Sequence, residues 1–229
     1  MIDWHAHILP GVDDGSRDIE ESVSMVNMEM SQGIDTIIAT PHFYADDETV
    51  ESFLARRGKA LELLKSELPA DAPRIIPGAE VRYYQGISRM EDLKSLRIEG
   101  SNILLLEMPM DIWTERMIRE LIEISAKGSI QLVLAHVERY LGLQKKGVYD
   151  RLLGNDILMQ SNASFFTSFS SRRKALSFLK DGIVHFIGSD CHNLTSRPPS
   201  VGDAVGIIKK KLGEDYIYRI NEYGHSLLY

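Results

Sequence analysis

Seven short apolar runs, separated by stretches of helical periodicity, restrict this chain more than any other feature. They occupy residues 1–7, 36–40, 74–80, 102–107, 131–136, 158–162 and 183–189. Most are β-branched or leucine-rich, as in strands buried on both faces of a parallel sheet. Between them an Asp18-x-x-Glu21 capping pattern opens a helix that runs to about Gln32 and stops at Gly33. Further helices are expected over 51–68, 114–127, 148–155, 171–181, 201–212 and 216–220, while the polar segment 82–102 is expected to wrap the surface. Strands alternating with helices imply an α/β fold with a parallel sheet. Seven strands in this order favour a distorted, closed or nearly closed (β/α) barrel.

The 229 residues suit a single domain, 1–229. A balance of 26 Lys+Arg against 33 Asp+Glu gives a net charge of −7, which argues against a nucleic-acid partner. The one basic run, Lys209-Lys210-Lys211, reads as a solvated helix face. Apolar runs such as 103–106 are strand-sized and far too short to embed the chain in a membrane. A single cysteine excludes an internal disulfide framework and suits a reducing compartment. With no basic-then-apolar leader at the start, a cytoplasmic enzyme is expected. Nothing in the pattern fixes an oligomeric state.

In parallel α/β architectures functional groups gather at the carboxyl ends of the strands. Here those exits carry His5 and His7, His42, Glu80, Glu107, His136, Asn162, and Asp190 with His192. Residues two apart on an extended chain share a face, so His5 and His7 project toward one point. One polar exit means little, because loops are polar; seven in succession point to a site. His185 and His225 have no such placement and are read as structural. Histidine with carboxylate and no thiolate set suits manganese, iron, zinc or magnesium. Nine candidate ligands exceed one ion's needs, so two or three divalent ions are implied. Clustered ions supply a hydroxide nucleophile and clamp the oxygens of a displacement at phosphorus, which favours phosphoester hydrolysis. An amidohydrolase could use a similar ring.

The start His5-x-His7, then Asp14, Pro41-His42, Glu80, Glu107, His136 and Asp190-x-His192, resembles the motif set of the PHP (polymerase and histidinol phosphatase) superfamily. More narrowly, His7-Ile-Leu-Pro-Gly-Val-Asp-Asp-Gly15, Ile38-Ala-Thr-Pro-His-Phe43, Leu134-Ala-His-Val-Glu-Arg-Tyr140 and Gly188-Ser-Asp-Cys-His-Asn193 resemble the bacterial capsule-type protein-tyrosine phosphatases. Trp4 and Cys191 are the departures, and neither alters a ligand. The resemblance implies a distorted seven-stranded barrel, TIM-like in outline, with manganese as the metal. It also implies a phosphotyrosyl substrate, namely the tail of a bacterial tyrosine kinase of capsule or exopolysaccharide export. It places one ion on His5, His7 and Asp190, a second on His136 and Glu107, and a third on Asp14, His42 and His192, with Glu80 bridging the first two. Spacing does not separate Asp13 from Asp14; the resemblance selects Asp14 and leaves Asp13 as a turn or supporting residue. It also marks Arg139 and Arg197 as substrate-binding. Both follow ligand motifs closely, and an Arg fork suits phosphoryl oxygens. With Asp190 they form the expected catalytic set.

Two competitors are written in the same residues. Cys191 and Arg197 satisfy the Cys-x5-Arg spacing of thiol-dependent tyrosine phosphatases. That chemistry needs a glycine-rich loop of N–H donors, whereas this loop has no glycine and is followed by Pro198-Pro199. A phosphoesterase for a small metabolite such as histidinol phosphate would share every ligand. Other clusters read as packing or solvated turns: Met25, Met28 and Met30; Phe165, Phe166 and Phe169, which could alternatively line a substrate mouth; and Asp46-Asp47-Glu48.

Overall fold

The computed structural model describes residues 1–228, and they form an α/β fold built on curled parallel sheets. The strands are β1 (Ile2–Ala6), β2 (Thr36–Ala39), β3 (His42–Phe43), β4 (Arg74–Pro77), β5 (Glu80–Arg82), β6 (Ile103–Glu107), β7 (Gln131–Leu134), β8 (Leu158–Asn162) and β9 (Phe186–Gly188). The helices are α1 (Ile19–Ser31), α2 (Val50–Glu67), α3 (Glu115–Ala126), α4 (Val148–Leu153), α5 (Ala163–Thr167), α6 (Arg172–Lys180), α7 (Val201–Leu212) and α8 (Glu214–Leu228). Three strands pair in the order β1-β2-β4 and six in the order β3-β5-β6-β7-β8-β9, every pairing parallel.

Two of the seven expected strands are divided, which makes nine. Thr40-Pro41 separates β2 from β3, and Gly78-Ala79 separates β4 from β5. Pro41 has no N–H to give to a ladder, but its carbonyl accepts from Glu80 N at 3.0 Å, so the break itself sets where Glu80 emerges. The outer strands β1 and β9 also meet: Asp190 N donates to His5 O at 2.7 Å, and His7 N to Cys191 O at 2.9 Å. The approach is close, since a Cβ at Gly188 would lie 2.5 Å from His5 Cβ.

The apolar side chains form two bodies. Alternate residues from six strands, among them Ile2, Trp4, Ile38, Ile76, Leu105, Val133 and Phe186, make one cluster that only a curled sheet can bring together. The larger cluster lies between sheet and helices and joins Ile37, Leu104, Leu132 and Met159 to Met25, Leu64, Leu121 and Leu179. Trp4, one of the departures noted above, stacks on Phe186 with ring centroids 4.1 Å apart and so belongs to the first core.

Three local expectations are corrected. Segment 82–102 does not merely wrap the surface: it forms two 3₁₀ turns and buries Ile87, Leu93, Leu96 and Ile98, because such turns bury apolar residues without a 3.6-residue period. The last helix runs to Leu228 rather than Ile220, and its Gly224 lets it approach Trp4, where a Cβ would meet Cζ2 at 2.8 Å. The capping box of α1 is half made. Asp18 accepts from Glu21 N at 2.9 Å, but the Glu21 carboxylate turns to Arg17 instead. Phe165 and Phe166 pack into the core, while Phe169 is exposed. Among the described residues no helix is long and apolar enough to cross a membrane.

Candidate metal centre

The strand exits bring the nine expected residues into one cluster. From β1, His5 and His7 send Nε2 atoms to within 3.0 Å of each other. Glu80 Oε2 lies 3.2 Å from His5 Nε2, 3.3 Å from His7 Nε2 and 3.0 Å from His42 Nδ1. Its Oε1 lies 2.8 Å from His136 Nε2, which is in turn 3.6 Å from Glu107 Oε1. Asp190 Oδ1 approaches His5 and His7 at 3.7 and 3.5 Å. Asp14 Oδ1 sits 3.4 Å from His42 Nε2 and 3.5 Å from His192 Nε2. Within this cluster, three groups have ligand atoms close enough to share an ion: His5, His7 and Asp190; His7, Asp14, His42 and His192; and His42, Glu80 and Glu107; a fourth group, Asp3, Glu29 and Cys191, lies outside it. His7 and His42 each appear in two groups, so the geometry shares ligands more widely than the resemblance implied.

The outer ring nitrogens are already committed. His7 Nδ1 donates to Asp13 Oδ2 at 2.7 Å, and His192 Nδ1 to the Asp190 carbonyl at 3.0 Å. Each leaves Nε2 facing inward, the arrangement by which supporting groups prepare histidine ligands. Asp13 also accepts from His42 N at 2.9 Å and Gly15 N at 3.0 Å, so it ties three parts of the site together. Only glycine fits at position 15, where a Cβ would lie 2.3 Å from His7 O. Buried polar atoms are normally satisfied. Here His42 Nδ1, Glu80 Oε2 and His192 Nε2 are buried and form no aligned hydrogen bond, although they converge on one region. Nitrogen and carboxylate oxygen donors left open in this way fit a divalent cation.

The electrostatics agree. Burial opposes a charge on Glu80, but His5, the hydrogen bond from His136 and the close His42 imidazole hold its carboxyl well below the usual range. For His7 the burial penalty is outweighed by Asp13 and Glu80, which push its value up to about 10. His192 is driven down to about 4 by burial, then by His7 and Arg197. Glu80 is thus held ionised against a protonated His7, and a cation can displace such a proton. His136 and Asp190 have φ of 33° and 53°, left-handed values that are uncommon outside glycine, although the exposed turn residue Asp156 shares them at 58°.

Arg139 and Arg197 both reach the mouth. Arg139 donates to Asp190 Oδ2, and Arg197 Nη2 lies 2.7 Å from Asp190 Oδ1. The mouth is a cavity of about 340 Å³ that Tyr44, Arg82, Met108 and Met110 also line. A cavity of similar volume beside Lys65, Arg74 and Glu99 holds no histidine and lies at the start of β4, away from the strand exits. Tyr44 stacks on His42 at 5.3 Å, and the Arg82 guanidinium lies 5.5 Å from the Tyr44 ring. The sequence reading passed over both residues; Arg82 stands two beyond Glu80 on one strand face, which was the available signal. It also passed over Gln160, which contacts His5 and His136 from behind.

Cys191 is buried outside the mouth beside Asp3 and Glu29. Burial, with those carboxylates adding to it, raises its thiol well above the usual value. Such a thiol is the opposite of an activated nucleophile, so the Cys-x5-Arg spacing is coincidental.

Residues 1–225 match the family model described as capsular polysaccharide synthesis, CpsB/CapC. The chain is 30% identical to tyrosine-protein phosphatase YwqE of Bacillus subtilis, with 100% of this chain and 91% of that protein covered. It is 32% identical to tyrosine-protein phosphatase CpsB of Streptococcus pneumoniae, over 93% of this chain and 91% of that one. Crystallographic work describes YwqE and CpsB as metal-dependent tyrosine phosphatases, and the chain from it superposes with a TM-score of 0.84 at 26% identity, covering 100% and 94% of the two chains. A histidinol phosphate phosphatase from Lactococcus lactis, 15% identical, shares the fold at a TM-score of 0.58, with 91% and 92% covered.

Proposed function

The chain belongs to the capsular polysaccharide synthesis CpsB/CapC family, and on that premise we propose that it removes phosphate from phosphotyrosine on protein by metal-dependent hydrolysis. The observation that carries the reading is the convergence of the strand-exit ligands around three buried atoms that form no aligned hydrogen bond, His42 Nδ1, Glu80 Oε2 and His192 Nε2. We take β2 with β3, and β4 with β5, as one broken strand each, which makes the architecture a distorted seven-stranded barrel.

In this reading His5, His7 and Asp190 would hold one ion, Glu107 and His136 a second, and Asp14, His42 and His192 a third, with Glu80 as a further ligand. Manganese is the proposed metal; iron, zinc and magnesium suit the same donors. When bound, such ions acidify water and neutralise charge on phosphoryl oxygens. The residues of the chain do the rest. Asp13 and the Asp190 carbonyl hold His7 and His192 with Nε2 inward. Arg139 and Arg197 bind phosphoryl oxygens as forks. Their present partner, Asp190, orders them at the mouth before substrate arrives. A phenolate leaving group with a pKa of about 10 needs far less protonation than a serine alkoxide, so no strong acid is required beside it. The capsule family supports the tail of a bacterial tyrosine kinase as partner, and the single unpaired Cys191 supports the cytoplasm as location.

The test is hydrolysis of a phosphotyrosyl peptide beside histidinol phosphate, for untreated protein and for chelated protein resupplied with manganese. The expected result is preference for the peptide, loss on chelation and recovery with manganese. Preference for the small phosphate would keep the chemistry and contradict the substrate.

A further inference from the structure

Gln160 is fully buried in β8, behind two residues of the centre at once. Its Oε1 lies 2.7 Å from His136 N, and a peptide N–H can only donate. That contact orients the amide, with oxygen toward His136 and nitrogen toward Asn162 Oδ1 at 3.1 Å. The same Oε1 is 3.2 Å from His5 Nδ1. An amide oxygen only accepts, so Nδ1 of His5 carries the proton and Nε2 is the nitrogen turned to His7, Glu80 and Asp190. Asn162, its oxygen taken by Gln160, turns Nδ2 to Asp190 Oδ2 at 2.7 Å. Every bond in the chain from His136 through Gln160 and Asn162 to Asp190 therefore has its direction set by one peptide N–H.

Gln160 and Asn162 stand two apart on a strand and share a face. The strand's end is held as Asn162 N donates to the Glu138 carboxylate at 3.2 Å. We propose that Gln160 and Asn162 are positioning residues, a buried amide relay that fixes the tautomer of His5 and the orientation of Asp190. The relay rests on the metal-dependent reading above. It joins the His136 side of the centre to the His5–Asp190 side. Neither residue touches the substrate mouth; both act through ligands. Groups that hold ligands in this way are worth about 10–100-fold in metal affinity.

The experiment is manganese binding to the chelator-stripped full chain, read as free Mn(II) by electron paramagnetic resonance, with circular dichroism to check folding. Gln160→Leu, similar in size but without an acceptor, is expected to bind about 10–100-fold more weakly. Gln160→Glu keeps an oxygen toward His5 and His136 while giving up the bond to Asn162, and is expected to bind more tightly than Gln160→Leu. Asn162→Leu frees Asp190 and is expected to weaken binding by about tenfold. A packing role alone would favour Leu over Glu. Wild-type isotherms for Gln160→Leu and Asn162→Leu, or Glu no better than Leu, would overturn the relay. Should Gln160→Leu fail to fold, Asn162→Leu with unchanged affinity overturns it alone. A wild-type chain that takes up no divalent ion contradicts the metal-dependent reading, and the relay with it, before any substitution is made.

Discussion

Each histidine of the centre has two ring nitrogens, and the partner of the outer one decides what the inner one presents. Asp13, the Asp190 carbonyl and Gln160 perform this service for His7, His192 and His5. The histidines were legible in the sequence because each ends an apolar run. Gln160 was not, since a polar residue inside a strand looks like any other, and Arg82 was marked only by standing two beyond Glu80. Arg197 would serve either phosphatase mechanism, and Cys191 is the residue that separates them. Arg197→Lys keeps the charge but loses the fork, and kcat/KM on a phosphotyrosyl peptide should fall about tenfold or more. Cys191→Ala should leave kcat/KM close to wild type, as expected of a buried thiol outside the mouth. A Cys191→Ala protein that folds but does not turn over would contradict this account.

At the scale of elements, the breaks in two strands matter more than the strands. Pro41 and Gly78 were visible as residues, but a short run does not reveal that the chain resumes in a different sheet. The helices expected over 51–68 and 114–127 lie within a residue or two of α2 and α3, whose N-termini are capped by Thr49 and Thr114, each accepting from a backbone N–H. The 3₁₀ turns of 87–96 carry no such period and were missed. His185, read as structural, fastens β8 to β9: its N donates to Met159 O at 2.9 Å and its Nδ1 accepts from Met159 N at 3.2 Å. Burial lowers its pKa below the ordinary 6.5. Its neutral form is the bonded one, so its contribution is full above about pH 6.5 and fades as pH falls through the lower folded value. Comparing urea midpoints of wild type and His185→Leu, the gap should be widest near about pH 7.5 and narrow toward about pH 5. A gap that widens on acidification would contradict the assignment.

For the whole molecule, a net charge of −7 conceals a local arrangement of opposite sense. Arg82, Arg139 and Arg197 rim one mouth over a floor of carboxylates and imidazoles. The alternation of strands and helices was enough to imply a parallel α/β fold, because that topology leaves few places for seven apolar runs. It was not enough to show that β1 and β9 meet, since that depends on contacts such as Asp190 N to His5 O across almost the full chain. That meeting brings His5, His7 and Asp190 together, and the central claim depends on it. The most direct test is to strip the protein of metal and restore manganese stepwise, measuring bound metal per chain and phosphotyrosyl peptide hydrolysis on the same samples. The account predicts no hydrolysis in stripped protein and a rise that saturates at two to three ions per chain. Full activity in protein shown to be free of metal would contradict it.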